Sequence, residues 1–481
     1  MNPVTGQPYP YQSAGSAWLA SQRFALLADE MGLGKSRQAI DASCQIDARR
    51  ILVIAPASAL GVWEQEFTRW SGRSVARMAR LTNTPPDGPV VAVGSYAWAT
   101  RYVATTTGAG RRWDLLIVDE AHYTKSLISA RGRALLGSTG LIHAADRAWF
   151  LSGTPMPNHP GELWSLLYAC GVTKVTYENW VDKYCTTKMF GTIEQITGAR
   201  EEMLPDLACR LHRSGFMLRR LQEEVMPELP PIQVNRLPIG PPGKVTFELL
   251  ELDIGWAGIT TDLGVAKLVE KVNAQASTVR HAIQTSGHTT IAAAAMEALA
   301  PSVSALRRYT GLQKVEPVVK LLTEELDAFL YQKIVVFCYH RGVIEALRQA
   351  LRRFKPRVIF GGTDPLRRDR HVRQFQTQPR FRVFIGQITA AGVAISLTAA
   401  NQVLVVEPSY VPAENAQALK RCHRHGQDRP VFVRFAYLPN TLDQDITAIY
   451  MKKANQITQV MDADARLVRG GSPGLAELLE K

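Results

Sequence analysis

The sequence predicts an α/β protein built from two parallel-sheet lobes in tandem, with helical insertions. The first observation is length, because 481 residues exceed what one ordinary hydrophobic core accommodates. The second is that short apolar runs alternate with helical stretches in both halves, which is typical of parallel sheets covered by helices on both faces. The third is a composition of 46% hydrophobic and 21% charged residues, which is that of a globular protein.

The strand-like runs fall into two groups. Those of the first half are Phe24–Ala28, Ile51–Ala55, Val90–Val93, Leu115–Val118 and Ala148–Leu151. Those of the second half are Ile334–Cys338, Val358–Phe360, Val383–Ile385, Gln402–Val406 and Val431–Phe435. The stretches between them predict helices that cover the two sheets.

A proline-rich seam at residues 227–243 separates the two halves. Its prolines disfavour a long helix, so we expect a hinge or crossover there. Residues 160–225 and 244–327 read as largely helical insertions, one in each lobe. The predicted domains are a first lobe at 1–235, a second lobe at 236–465 and a flexible tail at 466–481.

Charge and cysteine usage narrow the class of partner and the compartment. A formal net charge of +13 suits a polyanionic partner, although solvated arginine-rich faces are the alternative. The six cysteines are scattered without a C-x-x-C pair, which indicates reduced thiols and a cytoplasmic protein. We expect no membrane segment, since no uninterrupted apolar run reaches spanning length and the N-terminus lacks a signal-peptide layout.

A candidate phosphate-binding loop follows the first predicted strand. Residues 29–36 read DEMGLGKS, in which Gly32, Gly34, Lys35 and Ser36 match the end of the G-x-x-x-x-G-K-[ST] pattern, while Asp29 replaces its first glycine. Such loops turn backbone N–H groups towards phosphate oxygens at a helix N-terminus. Lys35 would reach the β- and γ-phosphates, and Ser36 would ligate Mg²⁺. The alternative is a glycine-rich turn with a chance lysine.

A second motif, Asp119-Glu120-Ala121-His122, follows the strand-like run LLIV. Ligands bind at the C-terminal ends of the strands in open parallel sheets. Asp119 can hold Mg²⁺ there, and Glu120 can orient and deprotonate an attacking water. An acidic surface turn is the alternative, but the two motifs together predict binding of ATP or GTP with Mg²⁺.

These motifs resemble those of the Swi/Snf-type ATPases of helicase superfamily two, from about Tyr9 to Tyr450. DEMGLGKS is that family's own form of the phosphate loop, so Asp29 is a family trait. FMLRRLQEEVMPELPP at 216–231 is similar to a block that general RNA helicases lack. The resemblance implies two RecA-like lobes and a DNA-dependent ATPase with a DEAH box, and segments such as FCYHRGVIEAL look nearest to the annealing-helicase subgroup.

The resemblance also implies roles for residues of the first lobe. Gln12 would bond the adenine edge, and Lys125 matches the lysine that follows the acidic box. Ser152 and Thr154, in LSGTPMPN, would sense the γ-phosphate state or the nucleic acid. Three aromatic residues at helical spacing are assigned to core packing: Trp63, Phe67 and Trp70.

In the second lobe, QALKRCHRHGQ at 417–427 fits the pattern Q-x-x-x-R-x-x-R-x-G-Q. The resemblance implies that Arg421 and Arg424 approach the γ-phosphate, with Arg424 as the arginine finger, and that Gln427 belongs to the nucleotide site. The alternative is an amphipathic basic helix.

The segment at 388–412 resembles the family's coupling segment, which assigns contact with nucleic acid to Thr389 and Gly392. Most members carry glycine and asparagine where this chain has Ala394 and Ser396.

We therefore expect an ATP- and Mg²⁺-dependent translocase on double-stranded or forked DNA. It would remodel DNA or protein–DNA complexes, with annealing or fork-remodelling activity. One alternative is a strand-separating helicase on single-stranded DNA or RNA, and another is a non-enzymatic, ATP-gated binding module. We expect a monomer whose targeting partner is unknown, and the Ala/Arg-rich chain suggests a bacterial or viral source.

Overall fold

The computed structural model describes residues 6–105, 112–190, 193–240, 300–391, 395–409, 411–424, 426–439 and 443–444. Contacts divide these residues into two compact units, with the boundary between Pro227 and Glu228. Each unit contains its own parallel sheet with helices interleaved along the chain, so the predicted fold class is confirmed. Among the described residues, no helix is long and apolar enough to cross a membrane.

Within the described ranges, the sheet of the first unit has seven strands. They are β1 (Phe24–Leu27), β2 (Arg50–Ala55), β3 (Val75–Met78), β4 (Val90–Ser95), β5 (Trp113–Asp119), β6 (Ala145–Leu151) and β9 (Met217–Leu218), in the order β3-β4-β2-β5-β6-β1-β9. All pairs are parallel. The five predicted strands are present, and β3 and β9 lie at the two edges, where sequence gave no apolar run.

Helices of the first unit follow its strands. They are α1 (Pro10–Ser21), α2 (Lys35–Gln45), α3 (Leu60–Ser71), α4 (Tyr96–Thr105), α5 (Ala130–Leu136), α6 (Gly161–Ala169), α7 (Tyr177–Tyr184), α8 (Leu204–Arg213) and α9 (Gln222–Val225). One face of the sheet packs against helices α4 to α8 in a hydrophobic cluster that includes Leu26, Leu116 and Phe150.

The predicted largely helical insertion at 160–225 is partly wrong. It contains helices α6 to α9, but also an antiparallel pair of strands, β7 (Cys185–Phe190) and β8 (Ile193–Ala199). The β-branched residues Thr186, Thr187 and Ile196 favour extended backbone and explain the difference.

Among the residues that the structure describes, the sheet of the second unit has six strands. They are β10 (Ile232–Pro238), β11 (Ile334–Cys338), β12 (Arg357–Ile359), β13 (Val383–Gln387), β14 (Gln402–Val405) and β15 (Val431–Tyr437), in the order β10-β15-β14-β11-β13-β12. All pairs are parallel. Successive residues of β11 alternate between two clusters, with Val336 in one and Phe337 in the other, so both faces of this sheet are buried.

The helices of the second unit are α10 (Ala300–Gln313), α11 (Val315–Asp327), α12 (Arg341–Ala350), α13 (Pro365–Thr377), α14 (Ile388–Ala391) and α15 (Pro412–Leu419). Helices α10 and α11 lie in the predicted insertion at 244–327, of which residues 244–299 fall outside the described residues. The predicted tail at 466–481 also falls outside them.

The proline-rich seam contains strand β10, which pairs with β15 along its whole length. Because β10 is an edge strand, Pro238 at its end is tolerated there. The predicted domain boundary at 235/236 therefore falls inside a strand of the second sheet.

Candidate nucleotide-binding and catalytic site

The loop between β1 and α2 has the backbone of a phosphate-binding loop. Gly32 and Gly34 adopt positive φ angles of 91° and 72°, and α2 begins at the next residue, Lys35. A Cβ atom at Gly34 would collide with the side-chain amide nitrogen of Gln12. Glycine is therefore required at Gly34 both by its left-handed backbone and by the close approach of Gln12.

Lys35 directs its ammonium group back over this loop. Its Nζ donates to the backbone oxygens of Asp29 at 2.8 Å and of Glu30 at 3.3 Å. Desolvation lowers the pKa of Lys35, although the charges of Glu120, Asp29 and Asp119 oppose that shift. Phosphate oxygens could replace the two carbonyl partners, so the group is suitably placed for a bound triphosphate.

Asp29, the residue in place of the first glycine, forms a buried ion pair. Its side chain is 0% exposed, and its two carboxylate oxygens accept from the guanidinium of Arg220, with Nε–Oδ1 at 2.9 Å. Gln38 Nε2 also donates to Oδ2 at 3.0 Å. The sequence reading missed Arg220 and Gln38, although Arg220 lies in the distinctive block at 216–231.

Gln12 contacts the loop directly. Its Oε1 accepts from the backbone nitrogen of Tyr9 at 3.1 Å, and its Nε2 donates to the backbone oxygen of Leu33 at 3.3 Å. The side chain is only 3% exposed. These bonds give Gln12 a role in holding the loop, and contact with adenine stays a prediction.

The acidic pair lies at the C-terminal end of β5. Asp119 Oδ2 accepts from Trp63 Nε1 at 2.8 Å, and Oδ1 accepts from the backbone nitrogen of Glu120 at 3.0 Å. Burial, followed by the charge of Glu120, raises the pKa of Asp119 to about 6. Trp63 is thus a core residue, as predicted, that also orients the first carboxylate of the acidic box.

Glu120 has a left-handed backbone, with φ of 53° and ψ of 52°. Such a conformation is uncommon for a residue other than glycine and often marks a functional site. The hydroxyl of Tyr96 stabilises it by donating to the backbone oxygens of Asp119 at 2.7 Å and of Glu120 at 3.1 Å. The turn therefore directs two adjacent carboxylates away from the strand.

The acidic box contacts the loop that holds Ser152 and Thr154. His122 Nδ1 lies 3.1 Å from Ser152 Oγ, and Ser152 Oγ accepts from the backbone nitrogen of Thr154 at 3.2 Å. Within the described ranges, Thr154 Oγ1 is a buried hydroxyl without a hydrogen-bond partner. The structure thus brings together these two predicted sensor residues and the DEAH box.

The other predicted residues of the first unit are placed as follows. Lys125 Nζ pairs with Glu162 Oε1 at 2.6 Å and so joins the acidic box to α6. Phe67 is buried as predicted, whereas Trp70 is only half-buried and lies under the guanidinium of Arg37 at 4.0 Å from its ring centroid.

The residues present fit a magnesium ion bound together with phosphates. The Ser36 hydroxyl makes no hydrogen bond to another described residue, and Asp119 supplies a carboxylate, so both offer the oxygen ligands that Mg²⁺ prefers. No three His, Cys, Asp or Glu side chains in the described part of the chain converge on a metal position. Mg²⁺ usually binds through one or two carboxylates together with substrate phosphates and water.

In the second unit, Arg421 and Arg424 lie in the turn after α15, not on a helix. The backbone oxygen of Arg421 accepts from Leu397 N at 2.8 Å, and Arg424 Nη1 donates to Ile395 O at 3.2 Å. The amphipathic-helix alternative is therefore excluded for these two residues.

The buried side chain of Gln427 stabilises this turn by hydrogen bonds to the backbone. Its side chain is 4% exposed, and Nε2 donates to the backbone oxygens of Thr398, Ala400 and Cys422 at 3.0–3.2 Å. These bonds favour a positioning role, and contact with nucleotide stays a prediction.

Of the predicted coupling residues in the second unit, Thr389 is exposed on α14. Gly392 and Ala394 lie outside the described residues, whereas Ser396 lies in a described loop.

Two protein-family models match the chain. The family of the SNF2-related domain matches residues 11–240, and the helicase conserved C-terminal domain matches residues 313–426. The first match contains the phosphate loop, the acidic box and Arg220, and the second contains Arg421 and Arg424. A two-domain ATPase of helicase superfamily two is the class that these features define.

The chain belongs to the SWI/SNF-type, SNF2-related family of that class, as its sequence motifs predicted. Relatives include the DNA annealing helicase and endonuclease ZRANB3 of Mus musculus, 29% identical over 93% of this chain and 40% of the relative. The SWI/SNF-related matrix-associated actin-dependent regulator of chromatin subfamily A-like protein 1 homolog of Caenorhabditis elegans is 27% identical over 98% of this chain and 66% of the relative.

The chain spans about two fifths of the length of the first of these relatives. A solved structure, the Sulfolobus solfataricus SWI2/SNF2 ATPase core in complex with dsDNA, is 21% identical and covers 98% of both chains, with a TM-score of 0.41.

Proposed function

We propose that this protein hydrolyses ATP to move along double-stranded DNA. The observation that carries the proposal is the charge cluster at the C-terminal edge of the first sheet. Lys35, Asp119 and Glu120 lie close enough for each carboxylate to shift the pKa of the lysine, at the end of a loop shaped for phosphate. Such a set of groups supports phosphoryl transfer to water.

Each residue would have a separate task. Lys35 would exchange its two backbone partners for the β- and γ-phosphates, and Glu120 would accept the proton of the attacking water. Ser36 and Asp119 would hold Mg²⁺, which when bound supplies positive charge that offsets the phosphates. Gln12 would form hydrogen bonds to the edge of adenine in place of its present bonds to the protein backbone.

The second unit would complete the site. Arg421 and Arg424 would approach the γ-phosphate, with Arg424 as the arginine finger and Gln427 holding their turn. Loss of the γ-phosphate would remove their anionic partner, so the two units would close with ATP and relax after hydrolysis. Ser152, Thr154, Thr389 and Gly392 would relay this change to nucleic acid.

Duplex DNA is the favoured track for two reasons. The formal net charge is +13, which suits binding to phosphates without strong sequence preference. In addition, two relatives are named as a DNA annealing helicase and a chromatin regulator. We propose forked DNA as a preferred form, with re-pairing of strands as one outcome, and a cytoplasmic monomer as the working state.

The test compares ATP hydrolysis without nucleic acid and with single-stranded DNA, duplex DNA, forked DNA and RNA, using Lys35→Ala as the blank. Duplex and forked DNA should stimulate most. In matched salt, the protein should displace the third strand of a triplex yet fail to unwind a long duplex. Efficient unwinding of long duplexes, or stimulation by RNA alone, would instead identify a strand-separating helicase.

A further inference from the structure

The segment after β9 is bonded to the start of the phosphate loop and to the loop of Ser152. Arg219 Nη1 donates to the backbone oxygens of Ala28 at 2.8 Å and of Gly153 at 3.3 Å. Three residues further on, the backbone nitrogen of Gln222 donates to Glu30 Oε2 at 2.7 Å. Residues distant in sequence thus hold the start of the loop that leaves β1.

Arg220 lies at the centre of these contacts. Its guanidinium donates to both carboxylate oxygens of Asp29, to Gln38 Oε1 at 2.7 Å and to the backbone oxygen of Tyr11. One planar fork therefore joins the phosphate loop, α2 and α1. An ammonium group could supply the charge but not this set of directed bonds.

Gln38 extends the contacts to the glycines of the loop. Its Nε2 donates to Asp29 Oδ2 at 3.0 Å and to the backbone oxygen of Leu33 at 3.2 Å. Gln12 Nε2 donates to the same Leu33 oxygen at 3.3 Å. Leu33 lies between the two loop glycines, and one of the two side chains that donate to its carbonyl oxygen, Gln38, is itself bonded to Arg220.

Gly15 of α1 leaves the room that this arrangement needs. A Cβ atom there would lie 2.6 Å from Arg220 Nη2 and would collide with Gln38 Oε1. The contact of Arg220 with Gln38 therefore depends on Gly15 as well as on the guanidinium, and either residue can be changed without the other.

We propose that Arg220 is a positioning residue for the nucleotide site. Through Asp29 and Gln38 it fixes the phosphate loop in the shape that receives the triphosphate. A loop with a buried carboxylate in place of its first glycine needs such a partner, since an unpaired buried charge is strongly unfavourable. The inference rests on the proposed binding of ATP and adds a residue 191 positions away from the loop.

The alternative is an ion pair that stabilises the first unit without affecting nucleotide. Three measurements distinguish a positioning role from a stabilising one. The melting temperature without nucleotide reports stability. The Kd of a fluorescent ATP analogue, measured well below that temperature, and the KM and kcat for ATP on duplex DNA report the nucleotide site. Arg220→Lys keeps the charge and removes the fork. We expect its Kd and its KM to rise at least about tenfold, with a smaller change in kcat.

Gly15→Ala is a second variant, which removes no charge. Its added methyl group would displace Gln38 and Arg220, so the Kd should rise as it does in Arg220→Lys. Arg213→Gln, which changes an exposed arginine of α8, is the matched control and should leave the Kd and KM unchanged. Folded Arg220→Lys and Gly15→Ala proteins with wild-type Kd and KM would overturn the inference, even if both melted at lower temperature. A wild-type protein that binds no nucleotide, or Lys35→Ala binding it normally, would instead refute the proposed function.

Discussion

Glu120 is the residue on which the proposed hydrolysis depends most directly. Its left-handed backbone places a second carboxylate next to Asp119. The Tyr96 hydroxyl stabilises that turn by donating to the backbone oxygens of Asp119 and Glu120. In Glu120→Gln the amide keeps the shape but cannot take a proton. We expect ATP binding to persist while kcat falls by about 10²–10⁴-fold. Binding and single-turnover hydrolysis measured on one preparation would separate the two steps, and wild-type turnover would show that another group is the base.

Asp119 gives a prediction about pH. Burial and the neighbouring Glu120 raise its pKa to about 6, above the ordinary value of 3.8. The folded protein therefore holds a proton at Asp119 that the unfolded chain releases between these values, and this group makes the protein less stable as pH rises from about 4 to about 6. Protonation at the low end also removes a ligand for Mg²⁺.

Two measurements check this prediction. Without nucleotide, the difference in melting temperature between wild type and Asp119→Asn should change across that pH range, in the direction of a less stable wild type at higher pH. The stabilisation of wild type by Mg²⁺ and ATP should weaken as pH falls below about 6. A pH-independent difference would show that Asp119 does not titrate in this range.

At the scale of elements, helix α3 orients the first carboxylate of the acidic box, because it carries Trp63. The indole donates to Asp119 Oδ2 at 2.8 Å, and Trp63→Phe would remove that bond while keeping an aromatic ring in the core. A hydrogen bond to a charged group contributes about 1.5–3 kcal/mol, so we expect the Mg²⁺ concentration for half-maximal hydrolysis to rise at least about tenfold. Phe67→Leu, which disturbs the same helix without touching Asp119, should leave it nearly unchanged.

The elements that sequence predicted well are those with continuous apolar runs. All ten such strands are present because strands buried on both faces are apolar along their whole length. The edge strands β3, β9 and β10 lack such a run and were missed, whereas the edge strand β12 has one. The prolines of the seam hid β10 further. The hairpin of β7 and β8 was missed because its residues were read together with the helices around it.

The candidate site divides in the same way. Lys35, Asp119 and Glu120 belong to short local motifs, so their place at the ends of parallel strands followed from sequence. The pairing of Asp29 with Arg220 joins residues 191 positions apart and could not be read from either motif alone. Likewise, the pattern around Gln427 predicts contact with nucleotide, which stays a prediction. The structure adds that its buried amide donates hydrogen bonds to three backbone oxygens. A motif identifies residue types, and only the packing shows which partners their polar atoms find.

At the scale of the whole molecule, the proposal requires that both units act on one phosphate. Arg424 is the residue that tests this, because it belongs to the second unit and its turn is fixed by bonds within that unit. An arginine finger contributes about 10³–10⁵-fold to kcat and acts mainly in the transition state. Arg424→Ala should therefore lower kcat on duplex DNA strongly while changing the Kd of ATP little.

Arg421→Ala tests the neighbouring arginine in the same way, and Arg373→Ala is the matched control, since Arg373 is exposed on α13 of the same unit. The control should keep wild-type kcat. A normal kcat for Arg424→Ala beside an inactive Arg421→Ala would assign the finger to Arg421. Normal rates for both variants would mean that the first unit hydrolyses ATP without the second, and closure of the two units could then not be driven by the γ-phosphate.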